Sequence, residues 1–520
     1  MESSCVRQTD IPGTSALFGD YLYHYERVSR FYPSWFGDLD TAKKAAQFDF
    51  PQDRRAALIA ALREQNGDSH ALARLAQPGT VAVVTGQQVG LFSGPAYTIF
   101  KALTAVKLAQ HLTDTGVPAV PIFWLATEDH DLAEVDHAWL FDQNNTPRKV
   151  STTAASSGGP VGEVCLDDIP ISELRAALGN LPQADDVAGI VEAAYCKGAT
   201  LGSAFRKLLQ TLLGSFGLLY VDPLAPSIRK IVTPFLESAA VHIDELVPAL
   251  QERGRELTAA GYHAQVNIET DSSLLFALEN GKRTPLRWNN GRLMLRGDRP
   301  FEPGNGVRLS PNALLRPVMQ DFLLPTVAYV GGPAEIAYLA QAEVLYRQLL
   351  GRMPIVYPRN GFTLLDGRAA KILSKYELHL TDLLDNTEAV RDRIAAQLIP
   401  PTLADEIARL RATLDTGLQR LRTNLDTFDP TLQAATGKSA AKMLYQLDKI
   451  SRKTARETLR RDERVSENTA YLLNLVYPHR HLQERFYSIL PFLAKSGLDL
   501  SKQLSEYTQL NCADHMVRIV

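Results

Sequence analysis

The densest chemistry in the chain is the run Glu128-Asp129-His130-Asp131, with Glu134 and His137 close behind. Titratable side chains in consecutive positions repel one another in a closed pocket unless a cation, an amine or a set of sugar hydroxyls answers them. If a helical turn follows, His130, Glu134 and His137 fall at i, i+4 and i+7, on one face. Such a set suits general acid–base catalysis. The residue types are also those that bind zinc or iron, but acid–base chemistry is the favoured reading and no metal is assigned. The plainer alternative is a polar loop with helix caps. A second cluster is Thr85-Gly86-Gln87-Gln88-Val89-Gly90-Leu91-Phe92-Ser93-Gly94-Pro95. Glycines let backbone N–H groups approach an anion closely, and Pro95 suits the first position of a helix. The bare N–H groups and the positive helix end then favour phosphate or carboxylate. The pattern is neither GxGxxG nor a Walker A loop, and its plainer alternative is a tight strand-to-helix turn. Gly331-Gly332-Pro333-Ala334 repeats the arrangement, with Glu335 in the first turn, where an acidic residue is also an ordinary cap. Arg316 with Gln320, and Arg359-Asn360, are weaker candidates: an arginine beside a crevice clamps carboxylate or phosphate, or serves a structural ion pair. His479 and His481 read as surface or interdomain histidines.

These residues need elements to hold them. Residues 81–84 are a compact β-branched run, as a buried parallel strand requires. The glycine loop follows, then a periodic helix over 96–112 and a second strand over 120–125. That order is a βαβ unit with a right-handed crossover, and it predicts an α/β fold with a doubly wound sheet. Short strands at 218–221 and 326–330 and a helix at 334–349 fit the same class. Both glycine loops then lie at carboxyl ends of strands, where such sheets bind ligands. Residues 1–75 read as helices with loops, and 263–310 alternate between turn signals (ENGK, NNGR, RGDR), predicting a β-rich insertion.

Strand signals almost vanish over 369–476. Leu403, Ile407, Leu410, Leu414, Leu418, Leu421 and Leu425 form one stripe whose spacing averages about 3.7 residues, so its seam is nearly straight. Phe428-Asp429-Pro430 breaks it, and a second long helix, 431–476, runs back to make an antiparallel coiled-coil arm. Basic residues crowd 449–464 among Glu457, Asp462 and Glu463, which reads as a solvated coiled-coil face rather than a nucleic-acid site. The resulting division is a core over 1–366, a helical domain over 367–476, and a segment over 477–520 packing back on the core.

Composition bounds the rest. The 520 residues allow about three domains. Hydrophobic residues at 45% and charged residues at 22% exclude wholesale disorder. A net charge of −3 exerts no global pull on nucleic acid or anionic membrane. Cys5, Cys165, Cys196 and Cys512 are dispersed and suggest no disulfide framework or cysteine-rich zinc site. No signal peptide is visible, and the longest apolar run, 117–126, is too short to span a bilayer. A cytoplasmic protein without nucleic-acid or membrane partners is expected.

The stretches VVTGQQVGLFSGPAYTIFKA, PIFWLATEDHDLAEVDH, LRPVMQDFLLPTVAYVGGPAEIAYLAQ and MPIVYPRNGFTLLD, with the later FYSILPFLAKSGLD, resemble the cysteine-adding enzymes of bacillithiol biosynthesis, the BshC family. The blocks follow the family's order over most of the chain. The resemblance implies a Rossmann-like core with connecting insertions, broadly like class I aminoacyl-tRNA synthetases, and a coiled coil that mediates a homodimer. It implies a ligase adding cysteine to the amino group of glucosaminyl-malate, giving bacillithiol. Forming an amide from a free carboxylate is uphill in water, so the acid must be activated. Likeness to synthetases implies a nucleotide, ATP or ADP, through an aminoacyl adenylate or an acyl phosphate. The chain has no HIGH motif, and its one KMSKS-like string, Lys449-Ile450-Ser451-Arg452-Lys453, lies inside the coiled coil, where no mobile clamp fits. On this reading Thr85, Gly86, Gln88, Gly90, Ser93 and Gly94 shape an anion pocket, which Tyr97 and Lys101 extend. Asp129 or His130 is the base on the incoming amine, and Glu128 and Asp131 orient the amine or sugar hydroxyls. Gly331, Gly332 and Glu335 form the opposite wall, and His137 and Arg316 are further binding candidates. Two other readings stay open: a nucleotide- or sugar-binding transferase on the same fold, and a coiled-coil scaffold.

Overall fold

The apolar run at 81–84 begins a strand that continues through the first glycine: β1 (Val81–Gln88) is four residues longer than the sequence pattern predicts. In the computed structural model, which describes residues 4–153, 158–279, 281–289, 291–295, 297, 299–301, 308–385 and 387–520, β1 pairs with its parallel neighbour along its whole length, from Val81↔Ala119 to Gln88↔Ala126. Gly86 is what allows this, because a Cβ there would lie 2.8 Å from the carbonyl oxygen of Trp124.

The chain then runs through α1 (Tyr97–Asp114), β2 (Ala119–Ala126) and β3 (Leu219–Val221), and returns to the other side of β1 as β4 (Thr326–Gly331), α2 (Pro333–Leu349) and β5 (Ile355–Pro358). The sheet order is β5-β4-β1-β2-β3, parallel throughout. Strand order therefore reverses between β1 and β4, and a crevice opens there at the carboxyl edge. Helices cover both faces, which is why the central strands read as unbroken apolar runs; every residue of β4 is buried.

The insertion forms a five-stranded antiparallel sheet. Its strands Ser272–Glu279, Lys282–Asn289 and Arg292–Leu295 are antiparallel neighbours, and Gly281 and Gly291, each just before a strand, take positive φ. Within the expected turn signals, residues 280, 290, 296 and 298 lie outside the described residues, as does the segment 302–307. Strand Arg308–Pro311 pairs with Ser272–Glu279 and brings the chain back to the parallel sheet.

By its contacts the chain divides into two compact units, Leu365–Leu482 and Ser3–Leu364 with Gln483–Arg518. In the second, strand His515–Ile519 lies between Ser4–Val6 and Gly361–Leu365, so the chain's last segment belongs to the body. In the first, α3 (Pro401–Phe428) and α4 (Pro430–Arg461) pack together and are joined by an Arg411–Asp448 ion pair. The expected single helix over 431–476 is two helices. Asp462 leaves helical geometry (φ −93°, ψ 88°) and caps α5 (Glu463–Val476) at the Val465 N–H. The basic stretch has local partners: Arg456 pairs with Glu388 and Asp392, and Arg460 and Arg461 pair with Glu457. No helix among the described residues is long and apolar enough to cross a membrane.

Candidate active site

At the switch point, the ends of β1, β2 and β4 enclose a cavity of 590 Å³. Its floor is tied by a buried ion pair. Lys101, on α1, donates to the Gly86 carbonyl at 3.0 Å and to Gln87 Oε1 at 2.9 Å, and pairs with the Glu335 carboxylate. Glu335 also accepts the Gly332 N–H at 2.8 Å and the Tyr329 hydroxyl at 2.6 Å. Burial pulls the Lys101 pKa down, against the pull of Glu335. Burial alone would push Glu335 up, but Lys101, Tyr329 and Gly332 together hold it below the usual carboxylate value. An ammonium has three protons, and here three acceptors take them. Lys101 thus lines the cavity as expected, but its protons are taken by these acceptors and it ties β1 to α2.

Glu128, Asp129 and His130 follow β2 and line the cavity. Glu128 is buried in an ion pair with Arg229, from helix Pro226–Val241, and accepts the Ser310 hydroxyl at 2.9 Å. Arg229 also donates to the Leu309 carbonyl at 2.9 Å. Burial, with Arg308 and Arg283 nearby, pulls Arg229 down to about 9. Glu128 therefore ties the antiparallel sheet to the parallel one instead of orienting a substrate amine. Asp129 accepts Gln88 Nε2 at 2.6 Å and the His130 backbone N–H at 2.7 Å. Gln88 also reaches Glu134 at 2.8 Å. His130 Nδ1 lies 3.1 Å from Arg283 Nη1. Asp131 is exposed and outside the cavity lining. His137 opens strand His137–Phe141 and bonds Asp136 at 2.9 Å, so His130, Glu134 and His137 do not share a helical face.

Only part of the glycine loop reaches the cavity. Gly86 and Gln88 line the cavity, as does Tyr97, but Thr85, Gly90, Ser93 and Gly94 do not. Thr85 donates its hydroxyl to the Val330 carbonyl at 2.8 Å, across to β4. The loop's N–H groups are not bare: Gly90 bonds the Gln88 carbonyl, Phe92 the Tyr195 hydroxyl, Gly94 the Leu91 carbonyl and Ala96 the Tyr487 carbonyl. Ser93 is fully buried, 3.2 Å from the Ser488 hydroxyl. Such a loop is a packed turn, not an anion cradle. On the facing wall, Gly332 and Glu335 line the cavity and Gly331 pairs with β5 instead.

Arg316 lies in the wall, bonded to Gln320 at 3.0 Å and to the Tyr338 hydroxyl at 3.1 Å. Arg359 joins it, held by Glu484 through bonds of 3.0 and 2.6 Å, 5.2 Å from the Tyr97 ring. Burial opposes the Arg359 charge, but Glu484 outweighs it and raises the pKa. Sequence reasoning missed Trp124, Arg283, Tyr329, Tyr338 and Arg485, all in the lining, where Gln87 of the glycine-loop cluster also lies. Arg283 arrives from a hairpin with no local signal. Trp124 is hidden in an apolar strand, yet its indole N–H is buried with no partner among the described residues. Burial pulls Arg283 down to about 10, with Asp129 working against that, so it is a cation at neutral pH. Apart from the mutually neutralised Lys101–Glu335 pair, Arg283, Arg316, Arg359 and Arg485 face Glu128 and Asp129 in the lining, an excess of positive charge that suits an anionic ligand.

Comparison with known proteins covers the whole chain. The family model for the bacillithiol biosynthesis BshC N-terminal Rossmann-like domain matches residues 1–360, and that for the BshC C-terminal coiled-coil domain matches residues 362–519. A Solibacter usitatus protein named "Putative cysteine ligase BshC" is 52% identical, the match covering 100% of both chains. Proteins of the same name from Koribacter versatilis and Salinibacter ruber are 35% and 31% identical, over 99% and 96% of this chain and 99% and 95% of theirs. With both domains matched in order and relatives aligned end to end, this chain belongs to the BshC family of bacillithiol biosynthesis.

Proposed function

We propose that the cavity at the switch point joins the carboxyl group of cysteine to the amino group of glucosaminyl-malate, the last step of bacillithiol assembly. The observation that carries this reading is the cationic excess of the cavity lining in a chain of this family. Malate brings two carboxylates. On this reading Arg316 and Arg485, both in the lining, receive them, and Arg485 makes no ion pair among the described residues. The same donor set fits the phosphates of ATP, which when bound supplies the activation that amide formation requires. Trp124 offers its unpartnered indole N–H to a ligand group. Asp129 or His130 takes the proton of the attacking amine, which must be neutral to react.

The reading also includes a homodimer through the helical unit. On α3, Leu403, Leu410 and Leu421 are exposed, and on α4 so are Met443 and Ile450. A second copy of the chain would cover them.

The test incubates the purified protein with cysteine, glucosaminyl-malate and ATP, and follows the amide product by mass spectrometry. Product that needs all three supports the reading. Product without ATP removes the nucleotide, and no product with any nucleoside triphosphate removes the ligase reading. Turnover of a nucleotide sugar without cysteine would favour a transferase.

A further inference from the structure

We propose that His130 acts in this site as a neutral hydrogen-bond donor through Nε2–H, with Arg283 as the residue that sets its tautomer. Arg283, on strand Lys282–Asn289, is fixed at several points. It donates to the Pro311 carbonyl at 2.7 Å, to the Ser310 hydroxyl at 3.2 Å and to His130 Nδ1 at 3.1 Å, and its guanidinium lies 3.9 Å from the Phe276 ring centroid. A guanidinium has donors only. His130 Nδ1 must therefore present a lone pair to it, and in a neutral imidazole the proton then sits on Nε2. Asp129 Oδ1 is 3.6 Å from Nδ1 but already accepts the His130 backbone N–H at 2.7 Å. Phe276 faces the ring at 5.8 Å. Nε2 makes no hydrogen bond among the described residues, and His130 lines the cavity.

The chemical consequence rests on the ligase reading. As the amine attacks the activated carboxyl carbon, the C–N bond forms and the carbonyl electrons move onto oxygen. His130 Nε2–H donates to that oxyanion, as a fixed donor does in acyl transfer. The amine proton passes to Asp129. The oxyanion then collapses and breaks the C–O bond to the phosphate or nucleotide leaving group, which departs with its electrons. His130 neither gains nor loses a proton.

Selective 15N-histidine NMR of the resting protein reads the tautomer with no substrate present. The His130 signals are assigned by their loss in His130→Gln. A bare Nδ1 and a protonated Nε2 in wild type, kept in Arg283→Lys and mixed in Arg283→Met, is the expected result. A proton on Nδ1 overturns the proposal and leaves the ligase reading untouched. The activity arm uses the ligase assay. His130→Gln, which keeps a donor, should hold kcat within about threefold, while His130→Ala should lose about 100-fold in kcat with little change in KM. Equal losses in the two variants would make His130 the base and overturn the proposal. An inactive wild type would fail the ligase reading while leaving the tautomer measurement standing.

Discussion

Lys101 and Glu335 show at the residue scale how a buried charge pair holds the wall of a site together. Each is held by the other and by groups of β1 and β4. Removing one partner leaves a desolvated charge, so Lys101→Met should destabilise the protein by about 3–5 kcal/mol. The double variant with Glu335→Met should recover much of that loss. Urea unfolding of the two single variants and the double variant closes the cycle, and additive losses would show that the pair is not coupled. His515 carries a second prediction. It is fully buried, 2.8 Å from the Thr363 hydroxyl, and burial lowers its pKa, with Glu484 opposing and Arg359 reinforcing. The folded state thus prefers neutral imidazole more than the unfolded chain does. Its contribution is present above the unfolded value, about 6.5, and lost as pH falls from there toward the lower folded value. Tm should therefore drop between about pH 7.5 and pH 5 by more in wild type than in His515→Gln; equal drops would place the sensitivity elsewhere.

At the element scale, β1 decides where the site opens. Its extension through Gly86 carries Gln87 and Gln88 to the cavity, where they meet Lys101, Tyr97 and Asp129. In Gly86→Ala the new Cβ would meet the Trp124 carbonyl oxygen at 2.8 Å and Cβ at 3.0 Å, and both belong to the paired strand. The strands must part at that end, at a cost of about 1–3 kcal/mol. We expect a lower Tm and a still larger fractional loss of ligase turnover, read on the same preparation. Unchanged turnover would mean that the strand end is not what shapes the cavity. The βαβ order, α1, α2 and the two glycine loops were legible because strand and helix periods and Gly-Pro punctuation are local signals. The length of β1 was not, since Gly-Gln-Gln looks like loop until a neighbouring strand pairs with it. The break at Asp462 was also missed, because a single capping aspartate inside a charged helical run leaves the period intact.

The whole molecule adds what no local pattern contains. Arg283 and His130 are 153 positions apart, and Arg359 and Glu484 are 125 apart. Partners this distant leave no spacing to read. Resemblance to a family pointed to the blocks but could not tell Lys101, a closed structural cation, from Arg485, an open one. The leucine stripe of α3 shows the opposite case, a local pattern whose meaning depends on the assembly. Ile407, Leu414, Leu418 and Leu425 are half-buried, whereas Leu403, Leu410 and Leu421 remain 41–49% exposed. One side of the stripe is used within the arm, and the other lies open to water. Leaving three leucines half-exposed forgoes about half of the roughly 1.5–3 kcal/mol that full burial of each side chain is worth, which association of two chains would recover. Leu410→Glu with Leu421→Glu should therefore turn a dimer into a monomer by light scattering. The variant should keep its helix content, because both positions are exposed within one chain. A wild-type chain that is already monomeric at micromolar concentration, or a variant that stays dimeric, would assign this face to something other than a second copy.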